Sequence, residues 1–430
     1  MVLEKERSEA GEQPAAAQAP LPYLGRSVRI VGDWKSVDAS NTPHEKNKRG
    51  ELGKPLNNWY VNRTSLDPLG RIATTSSAAD RRNAMQTVLE RAPRGRVNPE
   101  QLPVRDAAEM TRHIKRAAKY LGASDVGIMR VQPSFLYSEG RYPDDGTGGG
   151  SSNQMVGAAE TAARYPFAIV CVYAWDYKMG KAHRHRIGDT AYHFGAEFLR
   201  STYANLAGYI KEMGYGVATK VATPMPTALA AGLGEVGRHG MLITEKFGAR
   251  VHLGDPILTD LPLIPDEPID IGVEDFCQVC NKCANTCPTN SIVTTGKAVV
   301  NGIEKYKINW ETCYRLRPHV MQYWEICLTC VTVCPYTKPA TWWHRLAIRG
   351  MQWTPIPLRS LTARFLKLLD DKYWGKLGRK RVEWMSYDSG NLTTPDGEVQ
   401  PVEKDRGYYY PLKENTRRFD ILKEKLKSKA

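Results

Sequence analysis

The sequence predicts an α/β chain of the α+β kind, with a cysteine-rich module behind its main domain and an irregular arm on either side. Three observations predict this. Segments with helix and strand periods alternate between residues 105 and 270. Eight of the nine cysteines then fall between Cys277 and Cys334. The flanks, 22–104 and 341–430, are rich in Arg and Pro, the first also in Asn and the second in Trp, and carry little periodicity.

Residues 1–21, rich in Ala, Gln, Glu and Pro, read as a disordered tail. Residues 22–104 read as an extended arm packed over a core that the rest supplies. A first helix is expected over about 105–121, stopped by Gly122. Ser124–Val131 reads as a strand, Asp144–Ser152 as a glycine-rich loop, and the apolar run Phe167–Trp175 as a buried strand. A long helix is expected to start at Asp189 or Thr190, either of which can cap it, and to end at Gly214. Tyr192, Ala196, Leu199, Tyr203, Leu206 and Ile210 lie on one of its faces. Val217–Ala222 follows as a strand, then a short helix around Thr227–Leu233. Met241–Thr244 and Val251–Thr259 read as two more strands. This divides the chain into an α/β domain over 105–270, a cysteine module over 271–340 and an irregular wrap over 341–430.

The cysteines carry the chemistry. The first run is Cys277-Gln-Val-Cys280-Asn-Lys-Cys283-Ala-Asn-Thr-Cys287-Pro288. The second is Cys327-Leu-Thr-Cys330-Val-Thr-Val-Cys334-Pro335, with Cys313 upstream. Both are ferredoxin-like. In a Cys-x2-Cys-x2-Cys turn three thiolates converge on one cube, and the fourth Cys, before Pro, ligates the other cluster. Cys277, Cys280, Cys283 and Cys334 are therefore assigned to one [4Fe–4S] cluster, and Cys287, Cys313, Cys327 and Cys330 to a second. The second run departs from the usual form, because Trp324 stands where its first Cys belongs. Cys313 is taken to supply that ligand from a loop; without it the centre would be a [3Fe–4S] cluster. Zinc is the alternative for paired Cys-x2-Cys motifs, but zinc sites rarely end twice in Cys-x3-Cys-Pro. Cys171 lies in an apolar run and reads as an inert core thiol.

The bulk properties set bounds. The 430 residues are 42% apolar and 25% charged, ordinary for a soluble protein. No apolar stretch reaches the length of a membrane span, and the first residues show no signal core, so an integral membrane segment is not expected and a cytoplasmic location is. The formal charge is +14, from Lys and Arg scattered along the chain. No nucleic-acid reader motif accompanies it, so DNA is not an expected partner. A basic surface would instead steer an acidic, low-potential electron donor such as a ferredoxin or flavodoxin.

Several segments together carry a resemblance. They are Tyr209-Ile-Lys-Glu-Met-Gly-Tyr215, Ala231-Gly-Leu-Gly-Glu-Val-Gly-Arg-His-Gly-Met-Leu-Ile-Thr244, Phe247-Gly-Ala-Arg-Val-His-Leu253, Thr259-Asp-Leu-Pro-Leu263 and the two cysteine runs. In order and spacing they closely resemble the reductive dehalogenase family, over roughly 105–340. Epoxyqueuosine reductases, which share the cobalamin domain and both clusters, are the nearest competitor. The resemblance implies a nitroreductase-like domain that binds cobalamin base-off, with no protein ligand below cobalt. In agreement, the chain has no Asp-x-His-x-x-Gly run. It implies that Gly232, Gly234, Gly237 and Arg238 contact the corrinoid; a plain tight turn is the alternative for the glycines.

The implied reaction replaces halogen by hydrogen on an organic compound, expected to be aromatic, using two electrons passed singly through the clusters and one proton. In the family the proton donor is a tyrosine with a cation beside it, because a free phenol has a pKa of about 10. The position in this chain is Tyr192, expected in the first helical turn where the dipole also favours phenolate; Tyr203 is the second choice. The cation is Arg250 or, two residues on, His252; for Arg250 a corrinoid-phosphate or structural contact is the alternative. Two other readings compete. One is an epoxyqueuosine reductase-like enzyme acting on tRNA, with Asp189 near the acid position. The other is a dicluster electron carrier without catalysis.

Overall fold

The computed structural model describes residues 23–43, 46, 49–52, 96–138, 157–181, 186–287, 289–314, 327–339, 341–375, 391–393 and 399–401. The expected tail over 1–21, the glycine-rich loop at Asp144–Ser152 and most of the wrap beyond residue 375 lie outside the described residues.

Strand β1 (Arg29–Ile30) belongs to the N-terminal arm. The main sheet holds β2 (Asp125–Arg130), β3 (Phe167–Ala174), β4 (Val217–Thr219), β7 (Val251–Leu253) and β8 (Ile257–Thr259). Between β4 and β7 comes a small hairpin, β5 (Glu235–Val236) with β6 (Leu242–Ile243). The sheet runs β2-β3-β8-β4, with β7 on β3 beside β8. Each of these pairings is antiparallel, which makes α+β the apt description.

The expected strand 251–259 is in fact two strands on the same edge of β3. Ile169 pairs with Ile257 and Val172 with Leu253, so 254–256 oppose only Val170 and Cys171. Such a two-against-three mismatch is a bulge. Its sequence, Gly254-Asp255-Pro256, explains it: proline offers no N–H to the ladder.

Both faces of β3 are covered, which is why its sequence is apolar throughout rather than alternating. On one face the helices Ala107–Tyr120 and Arg186–Glu212 bring Ile114, Ala118, Leu199, Leu206 and Ile210 against Ile128, Ile169, Cys171, Val217 and Ile257. Each fully buried aliphatic chain there contributes about 2 kcal/mol. The other face packs the Pro224–Ala230 helix and the arm, through Leu24, Val28 and Trp34, onto Met129, Ala168, Val170 and Leu258. Cys171 sits in the first of these cores, where burial pushes its thiol up to about 12.

The first helix is capped by Asp106, whose carboxylate accepts the Ala108 N–H at 2.8 Å. The long helix starts at Arg186, not at Asp189 or Thr190, so both expected caps lie inside it. Tyr192 therefore occupies the second turn, beyond the reach of the terminal dipole, and that part of the argument for a phenolate lapses.

The cysteine module is built of short helices, Val273–Val279, Lys282–Asn285 and Thr329–Val333, and a hairpin of β9 (Ala298–Val300) and β10 (Ile303–Lys305). Strand β1 extends this hairpin, pairing Arg29 with Glu304 and Ile30 with Ile303. The expected irregular wrap begins with two helices, Trp342–Trp353 and Arg359–Trp374. Their exposed Trp342, Leu346, Leu361, Phe365 and Leu368 blur the amphipathic pattern by which a helix is read. Arg359 is buried and binds Asp270 (2.6 Å) and Asp275 (3.4 Å), the carboxylates that Arg26 of the arm also grips at 3.3 and 2.7 Å.

Candidate functional site

The eight clustered cysteines fall into two groups. Cys277 lies in the Val273–Val279 helix, Cys280 at its C-cap, Cys283 in the next short helix and Cys334 at the C-cap of Thr329–Val333. All four are buried. Burial pushes the Cys277 thiol well above its ordinary value, and Cys283, Cys334 and Cys280 add to the shift. Cys334 is pushed up to about 12 in the same way. In the second group Cys330 is raised by burial first, then by Cys327, Cys287, Cys313 and, across from the first group, Cys283. The members of this group are half-buried. Thiols that oppose one another's ionisation inside a dry pocket form the donor set that bound iron neutralises. Among the described residues no three His, Cys, Asp or Glu side chains close on the position of a single ion. A cube of four irons spreads its thiolates wider than one ion does.

The sulfur atoms have different partners. In the second group Cys287 Sγ accepts the Ser291 N–H at 3.3 Å and lies 3.4 Å from Thr289 Oγ1; Cys327 Sγ lies 3.1 Å from Thr329 Oγ1. In the first group the donor to Cys277 Sγ is the Arg238 peptide N–H at 3.4 Å.

Arg238 belongs to the β5–β6 hairpin. Its guanidinium donates to Cys277 O (2.6 and 3.2 Å), Val293 O (3.1 Å) and Thr295 O (2.8 Å), and lies 4.2 Å from the Tyr306 ring centroid. Its donors are turned onto the cysteine module. The glycines of the hairpin are likewise explained by protein contacts. A Cβ at Gly232, whose φ is +67°, would meet Glu267 O at 2.4 Å; one at Gly234 would meet Ile243 O at 2.2 Å; one at Gly237 would meet the Ile243 side chain at 2.6 Å. At all three a side chain would collide with neighbouring protein.

The hairpin also buries two titratable side chains that the sequence gave no reason to single out. Glu235 Oε2 accepts the N–H groups of Ile271 (2.8 Å) and Val273 (3.1 Å), at the start of the helix that carries Cys277. Burial raises this carboxyl to about 7. His239 Nδ1 accepts the Met241 N–H at 3.1 Å, which leaves the proton of the neutral ring on Nε2. Burial lowers its pKa to about 4, and Nε2 has no partner among the described residues.

Tyr192 is half-buried and packs on the core shared with Trp175, Cys277, Cys280 and Cys334, whereas Tyr203 packs on the core beneath the sheet. The residue against Tyr192 is His252: the ring centroids are 4.0 Å apart at 56°, and His252 Nε2 lies 2.5 Å from the Tyr192 carbonyl oxygen. Gly195 permits this approach, since a Cβ there would meet the His252 ring at 2.8 Å. Arg250 Nη1 donates to Trp175 O at 2.6 Å. Burial lowers the Arg250 pKa, Asp176 and Tyr177 counter that shift, and the guanidinium in turn favours ionisation of Tyr177. Arg250 Nε has no partner among the described residues.

The cavities lined by described residues include two of several hundred Å³. One of about 880 Å³ lies between the last two helices and Pro335–Lys338; one of about 610 Å³ lies beside the N-terminal arm. Neither is lined by Tyr192 or Arg250. Among the described residues no helix is long and apolar enough to cross a membrane.

Against known proteins, the 4Fe-4S dicluster domain family matches residues 276–338. The tetrachloroethene reductive dehalogenase of Sulfurospirillum multivorans is 30% identical over 283 residues, covering 58% of this chain and 53% of that protein. The one from Dehalobacter restrictus is 28% identical over 341 residues, covering 70% and 56%. The epoxyqueuosine reductase of Listeria monocytogenes is 33% identical over 126 residues, covering 28% and 31%. Among solved structures, a reductive dehalogenase described as suggesting a mechanism for B12-dependent dehalogenation superposes with a TM-score of 0.67 at 20% identity, over 89% of this chain and 52% of that one. A catabolic reductive dehalogenase in complex with 3-bromo-4-hydroxybenzoic acid gives 0.65 at 21%, over 89% and 52%. The chain spans about half the length of the curated relatives it matches. Its relatives are thus reductive dehalogenases, with epoxyqueuosine reductases among them, and it has a reductive dehalogenase fold with a 4Fe-4S dicluster domain.

Proposed function

We propose that the chain is a cobalamin- and iron–sulfur-dependent oxidoreductase that replaces a halogen on an organic compound with hydrogen. The observation that carries this reading is the joining of two four-thiol sets to an α+β domain whose tyrosine, Tyr192, shares a core with the first set. A carrier of electrons alone has no use for the second of these parts. In this reading Cys277, Cys280, Cys283 and Cys334 hold the inner [4Fe–4S] cluster, and Cys287, Cys313, Cys327 and Cys330 the outer one. The unequal burial of the two sets supports that order, with electrons entering from a ferredoxin or flavodoxin at the half-buried set. Eight thiolates kept reduced suit the cytoplasm.

The residues also fit a corrinoid in a nitroreductase-like domain. Two buried donors, His239 Nε2 and Arg250 Nε, lack protein acceptors among the described residues, and a corrinoid carries amide and phosphate oxygens. When bound, cobalamin supplies low-potential electrons at the carbon–halogen bond; the balance is one halide released for two electrons and one proton taken up. The chain's own part is to hold and move that proton. Tyr192 Oη is the donor, and the His252 ring fixes the phenol by packing against it at a tilt and anchoring the Tyr192 carbonyl. Arg250 is the fixed cation of the site.

The test is anaerobic reconstitution with iron, sulfide and cobalamin, followed by halide release under a low-potential reductant. The expected outcome is about eight irons per chain and halide from a brominated or chlorinated phenol; chloroethenes and a tRNA stem loop serve as competing substrates. Tyr192→Phe should lower halide release by about 10²- to 10⁴-fold with the cluster spectra unchanged. Unaltered release would remove Tyr192 from the mechanism.

A further inference from the structure

Among the described residues, several buried cations lie in or against the cysteine module, and Lys282, Lys338 and Arg359 of these face carboxylates. Lys282 binds Asp370 and, at 2.7 Å, Asp371; Lys338 lies 4.0 Å from Asp370; Arg359 binds Asp270 and Asp275. Arg238, 3% exposed, has none among the described residues. Its guanidinium meets three carbonyl oxygens and the face of Tyr306. An isolated buried charge is costly unless a counter-charge is near. Its peptide N–H points at Cys277 Sγ, and its guanidinium clasps the Cys277 carbonyl oxygen.

We propose that Arg238 is a positioning residue for the first iron–sulfur cluster, serving as its counter-charge and raising its reduction potential. The proposal rests on the reading that Cys277, Cys280, Cys283 and Cys334 hold that cluster. With four thiolates a [4Fe–4S]²⁺ centre is a dianion, and the electron it takes from the low-potential donor makes it a trianion. A fixed positive charge beside it favours the reduced form, and an N–H···S hydrogen bond acts in the same direction. The hairpin holds the peptide in place, with Gly237 N donating to Met241 O at 3.1 Å and Gly240 N to Gly237 O at 2.9 Å. The other cations facing this set, Lys282 and Lys367 near Cys280 and Lys338 near Cys334, are each paired with Asp370 or Asp371. In the second set the sulfurs of Cys287 and Cys327 meet the Ser291 N–H and the hydroxyls of Thr289 and Thr329.

The experiment is potentiometric titration of the reconstituted full chain, followed by electron paramagnetic resonance, in wild type, Arg238→Lys and Arg238→Gln. Arg238→Gln should shift the reduction equilibrium of one cluster at least tenfold toward the oxidised form, about 59 mV for a one-electron couple, and leave the other in place. Arg238→Lys, which keeps the charge, should shift it by less. Should the Gln variant take up a single cluster while the Lys variant takes up two, the counter-charge role is supported. Midpoints unchanged in both variants, or loss of the first cluster from the Lys variant as well, would overturn it in favour of a purely mechanical clamp. Wild-type protein without two clusters would instead overturn the underlying reading, and iron analysis tells these cases apart.

Discussion

The two cysteine sets share a motif and differ in surroundings. The first is buried beneath the Arg359–Trp374 helix and the β5–β6 hairpin, with a guanidinium and a carboxyl, Arg238 and Glu235, packed at either end of its leading helix. The second is half-buried, and hydroxyls serve its sulfurs. Motif spacing fixes what kind of centre can form; burial and nearby charge fix how it behaves. Equivalent cysteines in the two sets should therefore respond unequally to the same substitution.

The largest difference is expected from cysteine removal. Cys334→Ala should cost the first cluster entirely, halving the iron and abolishing turnover, because a buried set cannot recruit solvent as a fourth ligand. Cys313→Ala should leave three thiolates in an accessible set and convert the second centre to a three-iron cluster, seen as a new signal in the oxidised protein by electron paramagnetic resonance. Equal iron loss in both variants would break the comparison.

A smaller effect is expected at Glu235. Its folded pKa is raised from 4.5 to about 7, so the folded protein binds this proton more tightly than the unfolded chain does. The stability this contributes is present below about pH 4.5 and is lost as pH rises through 7, about 3 kcal/mol in all. Glu235→Gln removes the dependence. The variant's thermal midpoint should exceed that of wild type by most near pH 8 and by least near pH 5; a difference independent of pH would sink the assignment. His239, buried neutral, has the opposite slope, losing stability as pH falls from 6.5 to about 4, and that term is common to both proteins. The smallest effect is expected from Thr329→Val, which removes one hydroxyl from Cys327 and should move the second cluster's midpoint by less than a tenfold change in its equilibrium, with the first cluster untouched.

What the sequence makes legible follows the range of each interaction. Ligand spacing within a run is local, so the cysteines of each run can be grouped from Cys-x2-Cys, whereas Cys313 enters only because Trp324 leaves a ligand position open. Helix and strand existence is also local: Ala107–Tyr120 and Phe167–Ala174 lie within a residue or two of their expected ends. The failures are contacts between distant segments. That Arg238 reaches Cys277, Val293 and Thr295 depends on the hairpin folding against a module some forty residues downstream, and nothing in Gly-Arg-His-Gly announces it. Gly195 has the same character: its lack of a side chain makes sense only once His252 is seen against it. The helix start at Arg186 escaped because Asp189 and Thr190 look like caps by composition, and composition does not say whether a capping side chain stands at an end or in the middle.

The four-residue ion network of Arg26, Asp270, Asp275 and Arg359 has a consequence for biosynthesis. Both cysteine runs leave the ribosome before residue 359 does, yet the leading helix of the first run keeps two carboxylates only partly matched until that arginine arrives. Metallocentre assembly therefore awaits the Arg359–Trp374 helix, and an assembly factor would meet an open thiol site on the nascent chain that closes once that helix docks.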